Sequence, residues 1–290
     1  MITTPQARAR PLDRLTGWQG SPEYFRFLEL DRFDPGLVVD VLRGNVAGVM
    51  FRNVIDPAAA GELVRRFWES PARKRRGGEV CESQGYYVGA YHYHKPTLQY
   101  LEESTEVAGY LASLLDIRNQ PSHWFREQLT ARLKQEGVTF RLSAKDGLEG
   151  CPALVRSWTF QGEYALQPHE DESQCRHPAQ ADFEIQRSVN YKICAVNMCL
   201  ENGGKGRLAY WNVIPDGESK NRLGLYYSGS PYPPEVLEGI ESIWLDVRPG
   251  DVYVFNGGHV HAVEAGDGSK RTTVAWNMGF IDDRTVVSWT

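Results

Sequence analysis

Pro249-Gly250-Asp251-Val252-Tyr253-Val254-Phe255-Asn256-Gly257-Gly258-His259-Val260-His261-Ala262-Val263 carries the pattern that decides the fold. A turn tripeptide opens a short run of β-branched and aromatic residues, and a second short run follows it, so the stretch predicts strands at 251–255 and 260–264. Working outward, the same pattern recurs from Val138 onward and predicts strands at 138–143, 153–160, 163–168, 189–200, 207–213, 242–247 and 271–280. Asn202-Gly203-Gly204 marks a further reversal.

Toward the N-terminus the apolar period lengthens to three and four. Asp56-Pro57 joins an N-cap to a residue suited to the first helical turn, and Leu63, Val64, Phe67 and Trp68 supply one apolar face, which predicts a helix to about Trp68. A second helix is expected after Pro96, where Leu98, Leu101, Ala108, Leu111, Leu114 and Leu115 recur at helical spacing. A third is expected from Pro121 to about Gln135, ending near Gly137. Many evenly spaced strands with helices gathered before them read as a mainly β fold with α, a double-sheet jelly roll buttressed by N-terminal helices. We expect one domain over 1–290, with 1–137 as mostly helical support and lid and 138–290 as the jelly-roll core. The basic run Arg73-Lys74-Arg75-Arg76 before Gly77-Gly78 reads as a solvated loop rather than an anion-docking patch.

Composition narrows the partners. A net charge of −5 and a pI near 5.9 give no general pull toward phosphate backbones, so nucleic acid is not an expected partner. Cys81, Cys151, Cys175, Cys194 and Cys199 are odd in number and form no C-x-x-C pair, so they read as reduced thiols. Arg8, Arg10 and Arg14 are followed by no apolar leader, and no apolar run approaches ~18 residues. A soluble cytoplasmic protein without a membrane partner is the expectation, and its oligomeric state is left open.

His169-Glu170-Asp171 closes an expected strand, and the period of two places His169 and Asp171 on one face. Two imidazoles and one carboxylate on one face of an ion suit Fe(II) and leave positions open for an oxidant. An isolated H-x-D also reads as a surface His-Asp pair; the distal segment adds the missing ligand from a distant strand, with His259 and His261 both candidates. Ten residues after His261, Arg271 and Thr273 share a strand face, where a guanidinium fork and a hydroxyl can jointly hold a carboxylate such as the far one of 2-oxoglutarate.

The order H-x-D, then Gly203-Gly204-Lys205-Gly206-Arg207-Leu208, then a distal His and Arg271-Thr272-Thr273, resembles the Fe(II)/2-oxoglutarate-dependent oxygenase superfamily. Within it, Pro249-Gly250-Asp251, Phe255-Asn256-Gly257-Gly258 and the terminal Ser288-Trp289 resemble the free-standing aliphatic halogenases of indole-alkaloid biosynthesis and their hydroxylating relatives, best over about 189–290. The resemblance implies a cupin-like double-stranded β-helix, Fe(II) held by His169, Asp171 and His261, 2-oxoglutarate held by Arg271 and Thr273, and O2 as co-substrate. His261 followed by Ala262-Val263 matches the family's His-x-Val better than His259 does. Those halogenases carry glycine where this chain has Asp171, and the retained carboxylate implies hydroxylation.

Substrate contacts are harder to read. The aromatic stretch Tyr86-Tyr87-Val88-Gly89-Ala90-Tyr91-His92-Tyr93-His94 falls, by the resemblance, where the helical part covers the iron, so Tyr86 and Tyr87 are candidates, with core packing as the alternative. His92 and His94 raise a second metal site but bring no third ligand into view. Trp158, Tyr164, Lys192, Tyr210 and Asn277 complete the candidate set. The expected activity is hydroxylation of an unactivated C–H of a small molecule, an amino acid or a natural-product scaffold, with release of succinate and CO2. Desaturation or cyclisation with the same cofactors, or a silent jelly-roll binding protein, are the alternatives.

Overall fold

Alternate residues of the Val252–Asn256 strand go to different cores: Val252 and Val254 pack with the helices, while Tyr253 and Phe255 pack with Ala195, Leu208 and Tyr210. That division of one strand between two apolar faces organises the whole molecule. The computed structural model describes residues 14–78, 81–158, 163–204, 206–266 and 270–290. Arg8 and Arg10, the last two residues of the expected 153–160 strand, Lys205 and the Cys81 side chain lie outside the described residues.

The larger sheet runs in the order Phe27–Leu30, Gly48–Phe51, Val252–Asn256, Ile193–Asn202, Arg271–Asp282, Leu154–Trp158, Cys81–Val88 and Lys74–Gly78. Thr285–Trp289 pairs with Arg271–Asp282 and leads to Thr139–Leu142. Facing it is a smaller sheet of Tyr164–His169, His261–Glu264, Leu208–Trp211 and Ser242–Leu245. This is a double-stranded β-helix. The expected strands from 138 onward recur within a few residues, except that 189–192 belongs to the end of a 3-10 helix and its following turn, and Thr285–Trp289 was not foreseen.

Helices cover the outer face of the larger sheet. Leu63, Phe67, Leu101, Leu111, Phe125, Leu129 and Leu133 pack onto Val155, Cys194, Val196, Met198, Val274 and Met278 in one continuous core. The Asp56 carboxylate accepts from the Ala58 N–H at 2.9 Å and opens Pro57–Glu69, as its sequence requires. Thr97–Leu115 and Pro121–Lys134 also form. A further helix, Pro35–Arg43, uses the same device: Asp34 accepts from Gly36 N–H at 2.8 Å, and Gly44 closes it in the left-handed region at φ 75°.

The N-terminal part puts more of its residues into helices than into strands but is not helical alone. It adds four strands to the larger sheet, and the basic run is a correction: Lys74–Gly78 is an edge strand paired to Cys81–Val88 rather than a loop. Strand propensity is poor there, and pairing overrides it, with the Arg73 and Arg76 guanidinium groups lying over aromatic rings. Cys151, Cys175, Cys194 and Cys199 are free and buried. Among the described residues no helix is long and apolar enough to cross a membrane.

Candidate active site

His169 ends the Tyr164–His169 strand and pairs in register with His261, the first residue of the neighbouring strand. Asp171 lies just beyond, where its backbone N–H donates to Gly257 O at 2.8 Å and so ties it to the loop before His261. One ligand atom from each of His169, Asp171 and His261 lies within 4.8 Å of the others. His261 Nε2 is 3.7 Å from Asp171 Oδ2, and the two imidazole rings are 4.1 Å apart between centroids.

The ring orientations follow from hydrogen bonds to carbonyls, which can only accept. His169 Nδ1–H donates to Gln167 O at 2.8 Å and His261 Nδ1–H donates to His259 O at 2.9 Å. Each Nε2 is left as a bare lone pair directed at the common centre, the state in which imidazole binds a metal. Gln174 Nε2 donates to Asp171 Oδ1 at 2.9 Å, leaving Oδ2 toward His261, and Asn277 also hydrogen-bonds the carboxylate. Burial pushes the Asp171 carboxyl up to about 7 and the His261 imidazole down to about 4, while burial and His261 hold His169 well below its ordinary value. The buried Asp171 and His261 and the half-buried His169, which resist charging separately, form a set that a divalent ion satisfies together.

His259 stands apart. It is fully buried, its Nδ1–H donates to Trp211 O at 3.0 Å, and it packs on Tyr24, Phe25 and Tyr210. Arg271 is buried, with Nη2 donating to Tyr253 Oη at 2.8 Å and Nη1 donating to Gly206 O. Two positions on, the Thr273 hydroxyl is buried and has no partner among the described residues, the condition of a group awaiting a ligand. An orphan hydroxyl beside a buried guanidinium fits a carboxylate such as the far one of 2-oxoglutarate.

A cavity of about 170 Å³ opens from the three ligands and is lined in part by Arg76, Tyr91, Tyr93, Arg156, Asn197 and Asn277. Of the expected substrate residues, only Asn277 lines it. Tyr86 packs edge-on against Trp68, Tyr87 against Tyr91, and Tyr164 in an apolar cluster with Trp211 and Val236. Lys192 lies over the Trp18 ring, and Tyr210 is fully buried with its hydroxyl donating to Asn256 O at 2.9 Å. Trp158 sits behind the cavity as a ring under Arg76 and Arg156. The aromatic stretch does reach the site, but through Tyr91, His92 and Tyr93. His92 bonds Gln180 at 3.0 Å, and among the described residues no His, Cys, Asp or Glu group of three other than the first could hold an ion. Arg156 was missed, although it shares strand parity with Trp158.

Glu170, between two ligands, faces away from them. Its carboxylate is fully buried, accepts the N–H groups of Glu172 and Ser173 at 2.6 and 3.0 Å, and lies 3.3 Å from the buried Lys220 ammonium. Lys220 belongs to the short helix Gly217–Arg222, and the loop after it brings Ser228, Ser230 and Pro231 to the cavity.

No family model matches the chain. It is 31% identical over 255 residues to an L-isoleucine 3(1)-dioxygenase of Pantoea ananatis, covering 85% of this chain and 84% of the relative. Among solved structures, an N-substituted L-amino acid dioxygenase from Burkholderia ambifaria superposes with a TM-score of 0.51 at 12% identity, covering 88% of this chain and 91% of that one. This second likeness is one of fold.

Proposed function

Since the chain belongs to the Fe(II)/2-oxoglutarate-dependent oxygenases, we propose that it hydroxylates an unactivated C–H bond of a free aliphatic L-amino acid, with isoleucine as the first substrate to try. In this reading His169, Asp171 and His261 hold the iron, and Arg271 and Thr273 hold the far carboxylate of 2-oxoglutarate. The observation that carries it is the convergent His169-Asp171-His261 group in a chain whose relative bears an isoleucine dioxygenase name. The cavity, at about 170 Å³, is small beside the ~300–1,000 Å³ of drug-sized pockets, which favours an amino acid over a natural-product scaffold.

The enzyme is a 2-oxoglutarate-dependent dioxygenase, and its iron and co-substrate supply the activation of O2, with 2-oxoglutarate leaving as succinate and CO2. The chain's own residues set the geometry. Carbonyls of Gln167 and His259 fix the two imidazoles, Gly257 O and Gln174 fix Asp171, and Tyr253 fixes Arg271. Phe255, with its ring 4.8 Å from that of His261, and Ala195, Ala275 and Val263 give the cavity apolar walls that limit water at the reacting carbon. The halogenases suggested by the sequence resemblance carry glycine where this chain has Asp171, and the retained carboxylate supports hydroxylation. We read 1–290 as one catalytic unit, because Arg76 and Tyr91 from the N-terminal part meet ligands from the C-terminal part in one cavity.

The test is succinate release by Fe(II)-loaded protein across a panel of L-amino acids. Stimulation by isoleucine, leucine or valine over charged and aromatic members is expected, and equal release with every member would refute an aliphatic amino acid substrate.

A further inference from the structure

Arg156 is a cation in the cavity that the roles assigned above leave unused. It stands on the Leu154–Trp158 strand directly opposite Thr273 of Arg271–Asp282, and its side chain reaches across that strand to Asn197 on the next. Ala275 is what lets it pass, since Ala275 pairs with both Leu154 and Asn197 and offers only a methyl group at the crossing. Nη2 donates to Asn197 Oδ1 at 3.2 Å, Nε is buried without a partner, and no carboxylate among the described residues pairs with the guanidinium. Its face rests on the Trp158 ring at 5.5 Å, and Arg76 lies over the same ring at 5.2 Å. Burial and the crowding by Arg76 bring Arg156 down to about 10, so it stays charged at neutral pH.

Two guanidinium groups crowding one indole at the edge of a cation site need an anion between them. Charge counting identifies it. A divalent metal on two neutral imidazoles and one carboxylate would keep one positive charge, and Arg76 and Arg156 in the cavity lining and Arg271 behind Tyr253 add three more. The two carboxylates of 2-oxoglutarate offset two of these four. Two cations are left over, Arg76 and Arg156, and Arg156 is the one fixed by Asn197 within the strands of the cavity wall with a buried, unpartnered Nε. We propose that Arg156, seated on Trp158 and steadied by Asn197, is the anchor for the carboxylate of the organic substrate. The inference deepens the amino acid reading and rests on it for the identity of that substrate. Its consequence is that substrates are carboxylic acids whose amides are rejected, because an amide brings no charge to a half-buried guanidinium whose Nε is unpartnered.

The test is calorimetric binding to Ni(II)-loaded, 2-oxoglutarate-saturated protein, with L-isoleucine, isovalerate and isovaleramide as probes. Wild type, Arg156→Gln and Asn197→Asp are compared, the last placing a carboxylate on Arg156 from within and sparing the fold a deletion. Wild type is expected to bind the two carboxylates and not the amide. Both variants are expected to weaken carboxylate binding by about 30-fold or more while changing 2-oxoglutarate affinity by less than about 3-fold. Binding of isovaleramide as tight as isovalerate, undiminished carboxylate binding in both variants, or a loss confined to 2-oxoglutarate would each overturn the proposal. If isovalerate binds through Arg156 but L-isoleucine does not, the anchor stands and the amino acid reading fails.

Discussion

A Cβ built on Gly257 would lie 2.4 Å from Asp171 Oδ2, and Gly257 O accepts the Asp171 backbone N–H at 2.8 Å. The loop before His261 therefore holds the carboxylate by its backbone and makes room for it by lacking a side chain. Gly257→Ala must push Asp171 out of the group it forms with the two imidazoles. We expect metal affinity to fall ~10–100-fold, as for other losses of support around a ligand, with the melting temperature of metal-free protein little changed. Metal titration of both proteins checks this, and equal affinities would mean that Asp171 does not bind the ion.

The Lys220–Glu170 pair is buried on both sides, at 5% and 0% side-chain exposure. Lys220→Met leaves the Glu170 carboxylate enclosed with the backbone N–H groups of Glu172 and Ser173 and the Tyr232 hydroxyl but no cation, and breaking such a pair costs ~3–5 kcal/mol. Denaturant unfolding should show that loss, and the double variant Lys220→Met, Glu170→Gln should recover most of it. A single variant as stable as wild type would show that the loop carrying Ser228 and Ser230 is held by other contacts.

Arg271→Leu removes the guanidinium while leaving His169, Asp171 and His261 in place, so 2-oxoglutarate binding should weaken by ~30-fold to several-thousand-fold with metal content unchanged. Tyr253→Phe takes away only the hydroxyl that receives Arg271 Nη2 at 2.8 Å, and a loss of about 5-fold is expected from one hydrogen bond. Equal binding by Arg271→Leu and wild type would move the far-carboxylate site elsewhere.

His92 gives a pH dependence whose sign is opposite to that of a histidine with an acidic partner. Burial lowers it from 6.5 to about 4, so between those values the unfolded chain takes up a proton that the folded chain refuses. Its contribution to stability is complete above about 6.5 and is lost as the pH falls toward 4. Other buried imidazoles act in the same direction, so the measurement is a difference. Going from neutral pH to pH ~5, His92→Gln should lose about 2 kcal/mol less stability than wild type. Equal losses in the two proteins would show that His92 is protonated in the folded state.

The candidate iron ligands and Arg271 were legible from residue type and order along the chain, and His261 and Arg271 each open a regular strand. Other parts resisted for physical reasons. Pro35–Arg43 carries in Asp34-Pro35 the same start signal as Asp56-Pro57, but at nine residues it is too short for its apolar period to stand out. Gly48–Phe51 is buried at every residue, so it shows no alternation. Lys74–Gly78 forms against propensity through its partner strand. Irregular register between Tyr164, Leu166 and His169 hides which side chains of that strand face the cavity, and Tyr164 accordingly faces an outer apolar cluster. Arg156 shows its importance only once its missing partners are visible.

The central claim is that His169, Asp171 and His261 together hold an iron that directs hydroxylation of an aliphatic amino acid. Mass spectrometry of the product formed by Fe(II)-loaded wild type from L-isoleucine, 2-oxoglutarate and isotopically heavy O2 in saturating chloride tests it most directly. The account predicts one labelled oxygen in the product, one succinate per product, and loss of both in Asp171→Ala. A chlorinated product from the unmodified enzyme, or labelled product from Asp171→Ala at the wild-type rate, would contradict it.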